Sequence, residues 1–307
     1  MGGRHDHGQK DKSDSWLVWA VVINVLLTVA QVIGGVVSGS LSLVADALHN
    51  LSDAGALGLA LVARRIARRP ADENKTFGYG RAEIIGALIN LTTLIIIGLY
   101  LVYEAIMRYF EPQEIAGWIV VIVAGIALVI DIGTAALTYS LSRRSLNVRA
   151  AFLHNVSDAL ASVGVIFAGT LIILYDLYIA DTIVTILIAG YVLYQGFSSL
   201  PRVIDILMQG APPDIDRADV VAALEQVDGV VGVHHVHIWE IDEHRRSLEG
   251  HVVVAITEFV KLDKIKAALK ERLRADFNID HSTLEFETAE KTCIDNAAAA
   301  THQTATP

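Results

Sequence analysis

Six apolar blocks alternate with short polar breaks over the first two thirds of the chain, at roughly 16–37, 41–63, 84–107, 117–139, 148–174 and 179–199. Each is close to the ~20 residues a helix needs to cross the hydrocarbon core of a bilayer. The pattern predicts six membrane-spanning helices, with Asp181 near the start of the last. After Gln209 the period changes. Residues 216–227 put Val220, Val221, Leu224 and Val227 on one helical face. Residues 233–241 and 248–256 are strand-like, rich in Val and Ile and split by a charged turn. Residues 261–276 form a second helix with Ile265, Leu269 and Leu273 inward, and 282–287 alternate as a last strand. The expected organisation is a polar tail at 1–15, a six-helix membrane domain at 16–208, an α+β domain at 209–288 and a second polar tail at 289–307. A unit of about 75 residues is small for independent stability, so dimerisation is expected.

The loops set the orientation. Arg64, Arg65, Arg68, Arg69, Lys75 and Arg81 lie between the second and third blocks, and Arg143, Arg144 and Arg149 between the fourth and fifth. Ser38–Ser40, Glu111–Gly117 and Tyr175–Ala180 contain no Lys or Arg. By the positive-inside rule the basic loops, both termini and the α+β domain are cytoplasmic. The first fifteen residues carry no small-residue cleavage site, so the first block is expected to be a retained span rather than a signal peptide.

One phrase occurs twice. Leu48, His49, Asn50, Leu51, Ser52, Asp53 and Ala54 recur as Leu153, His154, Asn155, Val156, Ser157, Asp158 and Ala159. In a helix the His and the Asp four residues later share a face. Charged groups in a span are costly and mark function. The two phrases sit in spans of opposite direction, at matching places in two three-helix halves, which is the signature of an inverted repeat with a midplane site. Asp53 lies twelve residues past Leu41 and Asp158 ten past Val148. At 1.5 Å per residue both fall roughly 15–18 Å from opposite faces of a core ~30 Å thick. Two imidazoles and two carboxylates meeting there suit a tetrahedral Zn2+. Asn50, Ser52, Asn155 and Ser157 are either donors that orient these ligands or small polar packing residues. Asp46 is expected to cap the outer end of its helix or line an access path. Asn24, Gln31, Asn90 and Asp131 are expected mainly as interhelical hydrogen bonders.

The chain is 53% hydrophobic with a formal net charge of −10, which argues against nucleic acid as a partner. Cys293 is the only cysteine, so no intrachain disulfide forms. Histidines are concentrated in the α+β domain: His234, His235, His237, His244, His251 and His281. Strand alternation sends His235 and His237 to one face and His234 to the other. His251 lies on the next strand and His281 at the edge of the last, so three strands offer imidazoles to one metal. His5 and His7 are expected to be part of a solvated tail.

With these residues in view the chain resembles a cation diffusion facilitator of the bacterial zinc-exporting type, over about residues 12–290. The marks are the two His-x-x-x-Asp phrases, the stretch from Pro70-Ala71-Asp72 to Phe77-Gly78-Tyr79-Gly80-Arg81-Ala82-Glu83, Ser145-Leu146-Asn147, and His237-Ile238-Trp239. The resemblance implies a homodimer in the cell membrane, six spans per subunit and a ferredoxin-like cytoplasmic domain. It implies export of a divalent cation in exchange for protons, with His49, Asp53, His154 and Asp158 as the transport site. His at the first position of the second-span phrase resembles zinc-selective members. His234, His251 and His281 match the tail-domain metal positions, with Glu287 and Cys293 matching more loosely. Some relatives build a further metal site on histidines in the loop after the second span; Lys75 and Tyr79 stand there instead, so none is expected. Broader export of Cd2+, Co2+ or Ni2+ is the alternative. An intramembrane zinc hydrolase is a distant competitor, because there is no His-Glu-x-x-His run and no spare Glu beside the cluster. A channel would need a continuous wet pore, which a four-ligand site does not suit.

Overall fold

The computed structural model describes residues 25–142, 146–255 and 259–288. The expectations for the two tails, for His5, His7, Asn24, Arg143, Arg144 and Cys293, and for the start of the first span lie outside these residues. The described residues fall into two compact units, divided between 61 and 62, between 88 and 89, and between 200 and 201.

The first unit is helical. Helix α1 runs Val25–Ser38, α2 Leu41–Ala67, α3 Arg81–Phe110, α4 Gly117–Ser142, α5 Leu146–Tyr175 and α6 Ile179–Leu207. Among the described residues four helices are long and apolar enough to cross a bilayer: Arg81–Phe110, Gly117–Ala136, Phe152–Tyr175 and Ile179–Leu207. Only 28% to 33% of their most apolar stretches is buried in the protein. Their outward faces carry Ile96, Val129, Phe167 and Leu187, a surface suited to lipid rather than water. Helix α2 has the length, 27 residues, but Asp46, His49, Asp53 and its terminal arginines dilute its apolar character. Helix α1 is described for 14 residues only, fewer than a full crossing needs.

The helices meet around Leu43, Leu101, Val120, Val165, Val192 and Ile188. Glycine sets the closest approach. A Cβ on Gly117 of α4 would stand 2.8 Å from Ile173 Cγ1 and 2.9 Å from the Gly169 carbonyl on α5. One on Gly169 would meet Val121 at 2.9 Å. Small residues let two backbones touch where lipid gives no hydrophobic drive for association. The turn from α1 to α2 is two residues long, and Gly39 takes φ +74°, a conformation that favours glycine.

Asp181, at the start of α6, anchors the first turn of α2. Its carboxylate accepts from Ser40 Oγ and Ser42 Oγ at 2.5 Å each, and from the amides of Leu41 at 2.8 Å and Ser42 at 3.3 Å. A helix start leaves its first amides without partners, and an anion there satisfies them and complements the helix dipole. The cap expected of Asp46 therefore comes from Asp181, because Ser40 and Ser42 bring the α2 terminus against α6 while Asp46 lies farther down α2.

The second unit holds a helix-strand-strand-helix-strand domain: α7 Arg217–Glu225, β1 Val230–Glu240, β2 Arg246–Val254, α8 Phe259–Phe277 and β3 His281–Thr288. The sheet order is β1-β2-β3, with β1 and β2 antiparallel and β2 and β3 parallel. Asp216 starts α7 by accepting from the Ala218 amide at 2.8 Å. Helix α8 is the crossover that a parallel β2–β3 pair requires. Val220, Leu224, Leu248, Val252, Ile265, Leu269 and Leu273 form the core. The inward positions expected for the second helix all fall there; Val221 and Val227 sit at its margin.

The same unit contains the α2–α3 loop. The Asp72 carboxylate accepts from Tyr79 Oη at 2.6 Å and from the amides of Lys75 and Asn74 at 2.8 and 2.9 Å. These bonds hold its carboxyl below the usual carboxylate range, the Tyr79 hydroxyl most of all, and push the Tyr79 phenol up in turn. Arg81 Nε donates to the Ile241 carbonyl at 3.2 Å, and Arg245 donates to the Phe77 carbonyl at 3.4 Å. A cavity of about 620 Å³ lies between this loop and the β1–β2 turn.

Candidate metal centres

Helices α2 and α5 bring the two repeated phrases together. His49 Nε2 lies 3.7 Å from Asp53 Oδ2 and 3.6 Å from Asp158 Oδ1. His154 Nε2 lies 3.2 Å from Asp53 Oδ2 and 3.5 Å from Asp158 Oδ2. Each imidazole thus faces the carboxylate of its own helix and that of the other. For four ligands ~2.05 Å from a tetrahedral ion, neighbouring donor atoms stand ~3.3 Å apart, close to all four distances. The imidazole rings of His49 and His154 are 5.9 Å apart and inclined at 73°.

The cluster is sheltered on one side. The side chains of His49 and Asp158 are 4% and 10% exposed, against 34% and 36% for Asp53 and His154. Among the described residues, both ring nitrogens of His49, Asp53 Oδ2 and Asp158 Oδ1 are buried and find no hydrogen-bond partner. Buried polar atoms normally find partners, so three such atoms gathered at one place, His49 Nε2, Asp53 Oδ2 and Asp158 Oδ1, suit a cation. His49, Asp53 and His154 each place one donor atom within 4.8 Å of the other two.

The surroundings partly match expectation. Asn50 Nδ2 donates to Gln31 Oε1 at 3.1 Å, and Gln31 Nε2 donates to Asp46 Oδ2 at 2.6 Å, so Gln31 does bridge helices. Ser162 Oγ of α5 donates to Asp131 Oδ2 of α4 at 3.1 Å. Ser157 Oγ returns to the Leu153 carbonyl at 3.1 Å. Tyr191 of α6 stands edge-on to His49, with ring centres 6.2 Å apart. Sequence reasoning missed Tyr191, and one tyrosine in an apolar span gives no signal of what it faces.

The second cluster lies on the sheet. His234 pairs with His251 across β1 and β2, and Glu287 of β3 closes the group. His234 Nε2 is 3.2 Å from Glu287 Oε2, and His251 Nδ1 is 2.8 Å from Glu287 Oε1. The other nitrogen of His251 is 3.5 Å from Glu285 Oε2. His281 stands apart. It pairs with Ser247, four residues along β2 from His251, and its ring packs edge-on against Phe77 at 5.6 Å. At ~3.3 Å per residue that offset is roughly 13 Å, beyond a shared ion in this subunit.

Strict alternation along β1 also fails. The register shifts between His234 and His237, and His235 takes φ +52°. This bulge lets the rings of both His234 and His235 approach His251, at 5.4 and 4.9 Å.

A model of the cation efflux transmembrane domain matches residues 17–208, and one of the cation efflux protein cytoplasmic domain matches residues 212–289. The chain is 35% identical over 293 residues to the "Cadmium, cobalt and zinc/H(+)-K(+) antiporter" of Bacillus velezensis, covering 94% of this chain and 93% of that one. It is 36% identical over 308 residues to the "Metal cation efflux system protein CzcD" of Cupriavidus metallidurans, covering 100% and 96%. It is 36% identical over 293 residues to the "Zinc transporter ZitB" of Pectobacterium atrosepticum, covering 94% and 89%. The chain is a multi-pass membrane transporter, not an enzyme, and belongs to the cation diffusion facilitator family.

Proposed function

We propose that the chain exports a divalent cation, Zn2+ foremost, from the cytoplasm in exchange for H+, and that His49, Asp53, His154 and Asp158 form the transport site. The observation that carries this reading is the crossed arrangement of the two His/Asp pairs, with four donor-to-donor distances of 3.2 to 3.7 Å. Two nitrogens and two oxygens suit Zn2+, and the same set accepts Cd2+ or Co2+ less well. The ligands must shed protons to bind the ion, which couples cation to proton. Imidazole titrates near neutral pH and is suited to that exchange. The two three-helix halves rock about the site to expose it to either side.

Both termini are cytoplasmic in this reading. The carboxy-terminal domain pairs two subunits, and His234, His251 and Glu287 hold a second, regulatory ion there. The test is zinc-driven proton movement in sealed proteoliposomes, wild type against Asp158→Ala. Zinc-dependent acidification or alkalinisation in the wild type, lost in the variant, is the expected result. Equal zinc flux in both would mean that the paired phrases are not the transport site.

A further inference from the structure

We propose that Asp46 exchanges a proton within the transport cycle: its carboxyl releases H+ when the four-ligand site takes a divalent cation and regains it when the cation leaves. This deepens the function proposed above and rests on it. The step breaks one O–H bond at Oδ1 and passes the proton to water; no electrons move.

Asp46 is 1% exposed, three residues before His49 and one turn before Asn50. It is not the helix cap, because Asp181 occupies that place. Only half of its carboxyl is satisfied. Oδ2 accepts from Gln31 Nε2 at 2.6 Å, whereas Oδ1 is buried and has no hydrogen-bond partner among the described residues. The Asn50 amide donates to Gln31 Oε1, which leaves the Gln31 NH2 as the group that faces Asp46. A carboxylate in an apolar interior needs hydrogen-bond donors on both oxygens, and one bare oxygen is the position a proton would occupy.

The charged groups around it point the same way. Asp131 of α4 and Asp158 of α5 act on it through space. Helix α1 offers Gln31 and no titratable group between Val25 and Ser38. Helix α3 has none between Glu83 and Tyr100. Helix α6 offers Asp181, committed to the α2 terminus, and Tyr191, which faces His49. On α2 itself stand His49 and Asp53, and on α5 also His154. Without a cation, Asp46 shares its surroundings with the carboxylates of Asp131 and Asp158, and a proton relieves that repulsion. A bound cation supplies two positive charges close by and removes the reason to keep it.

The experiment counts protons released as zinc chloride is added to the purified full-length protein in detergent, between pH 6 and 8. Wild type, Asp46→Asn, Gln31→Leu and Asp158→Ala are compared. Asp46→Asn keeps an oxygen for the Gln31 amide. The expected result is zinc binding retained with about one proton fewer released per subunit. In Gln31→Leu the carboxyl loses its donor, and the pH profile of proton release changes. An unchanged proton count in Asp46→Asn overturns the proposal. If that variant does not fold, an unchanged pH profile in Gln31→Leu overturns it. Loss of one of the two zinc ions per subunit in Asp158→Ala, beside retention of both in Asp46→Asn, separates the two roles. Full zinc binding and proton release in Asp158→Ala would instead sink the four-ligand site, and this proposal with it.

Discussion

Replacing Asp181 by Ala tests whether the start of α2 is held by one carboxylate. The change removes the acceptor for two hydroxyls and the amides of Leu41 and Ser42, all in buried residues. The two hydroxyls are 3.2 Å apart and can pair with each other, so three donors are left stranded. Each stranded donor costs about 1–3 kcal/mol, and neighbours in one network do not add fully. Removing a buried charge returns part of that loss. The net expectation is a loss of about 3–5 kcal/mol for Asp181→Ala, and roughly half as much for Asp181→Asn, which keeps one accepting oxygen. At ~2–4 °C per kcal/mol, Asp181→Ala melts on the order of 10 °C lower. The assay is thermal unfolding of the full chain in detergent, followed by tryptophan fluorescence. A midpoint within about 2 °C of wild type would refute the reasoning. So would Asn proving worse than Ala, since that would make the packing, not the acceptor, the source of stability.

Other consequences are open to the same measurement. Arg202 lies 2.5 Å from Glu240, whose side chain is 2% exposed. Arg202→Ala leaves that charge buried alone and should cost about 1–3 kcal/mol, discounted because the arginine is half-exposed; adding Glu240→Gln should recover part of it. Burial works to raise the Asp242 carboxyl, but Arg245 and the amides of His244 and Arg245 outweigh it and hold it below the usual range. Its contribution is therefore complete above the unfolded value of ~3.9 and is lost as pH falls through the lower folded value. Wild type should lose stability below about pH 4 more steeply than Asp242→Asn, and parallel melting curves against pH would count against this. Gly169→Leu forces a side chain against Val121 and the Gly117 carbonyl. It should cost about 1–3 kcal/mol, and a stabilised variant would show that the helices have room to part.

Much of this architecture is legible in the chain. Two identical His-to-Asp spacings in corresponding spans imply that the four side chains meet, because each spacing puts its pair on one helical face. Ile265, Leu269 and Leu273 are placed by periodicity alone, since one face of an amphipathic helix has one place to go. What stays hidden depends on contacts between distant segments. Asp181 lies 140 residues from Leu41, and no local rule says which helix an aspartate will cap. Alternation fails at His235 because a bulge inserts a left-handed residue that only the paired strand imposes. His281 is misplaced for a similar reason: the parallel register, invisible before β3 is laid beside β2, puts Glu285 and Glu287 beside His251 and Val253.

The close contact of Gly117 with Gly169 gives α5 a pivot. His154 lies fifteen residues along the same helix, a lever arm of on the order of 22 Å. Turning such an arm by about 5° sweeps its end through ~2 Å, the length of one metal-to-ligand bond. In the proposed transport site, a tilt of that size is enough to undo the half of the coordination sphere that α5 supplies. The glycine contact thus places the fulcrum of α5 at the far end from the two residues it supplies to the proposed site.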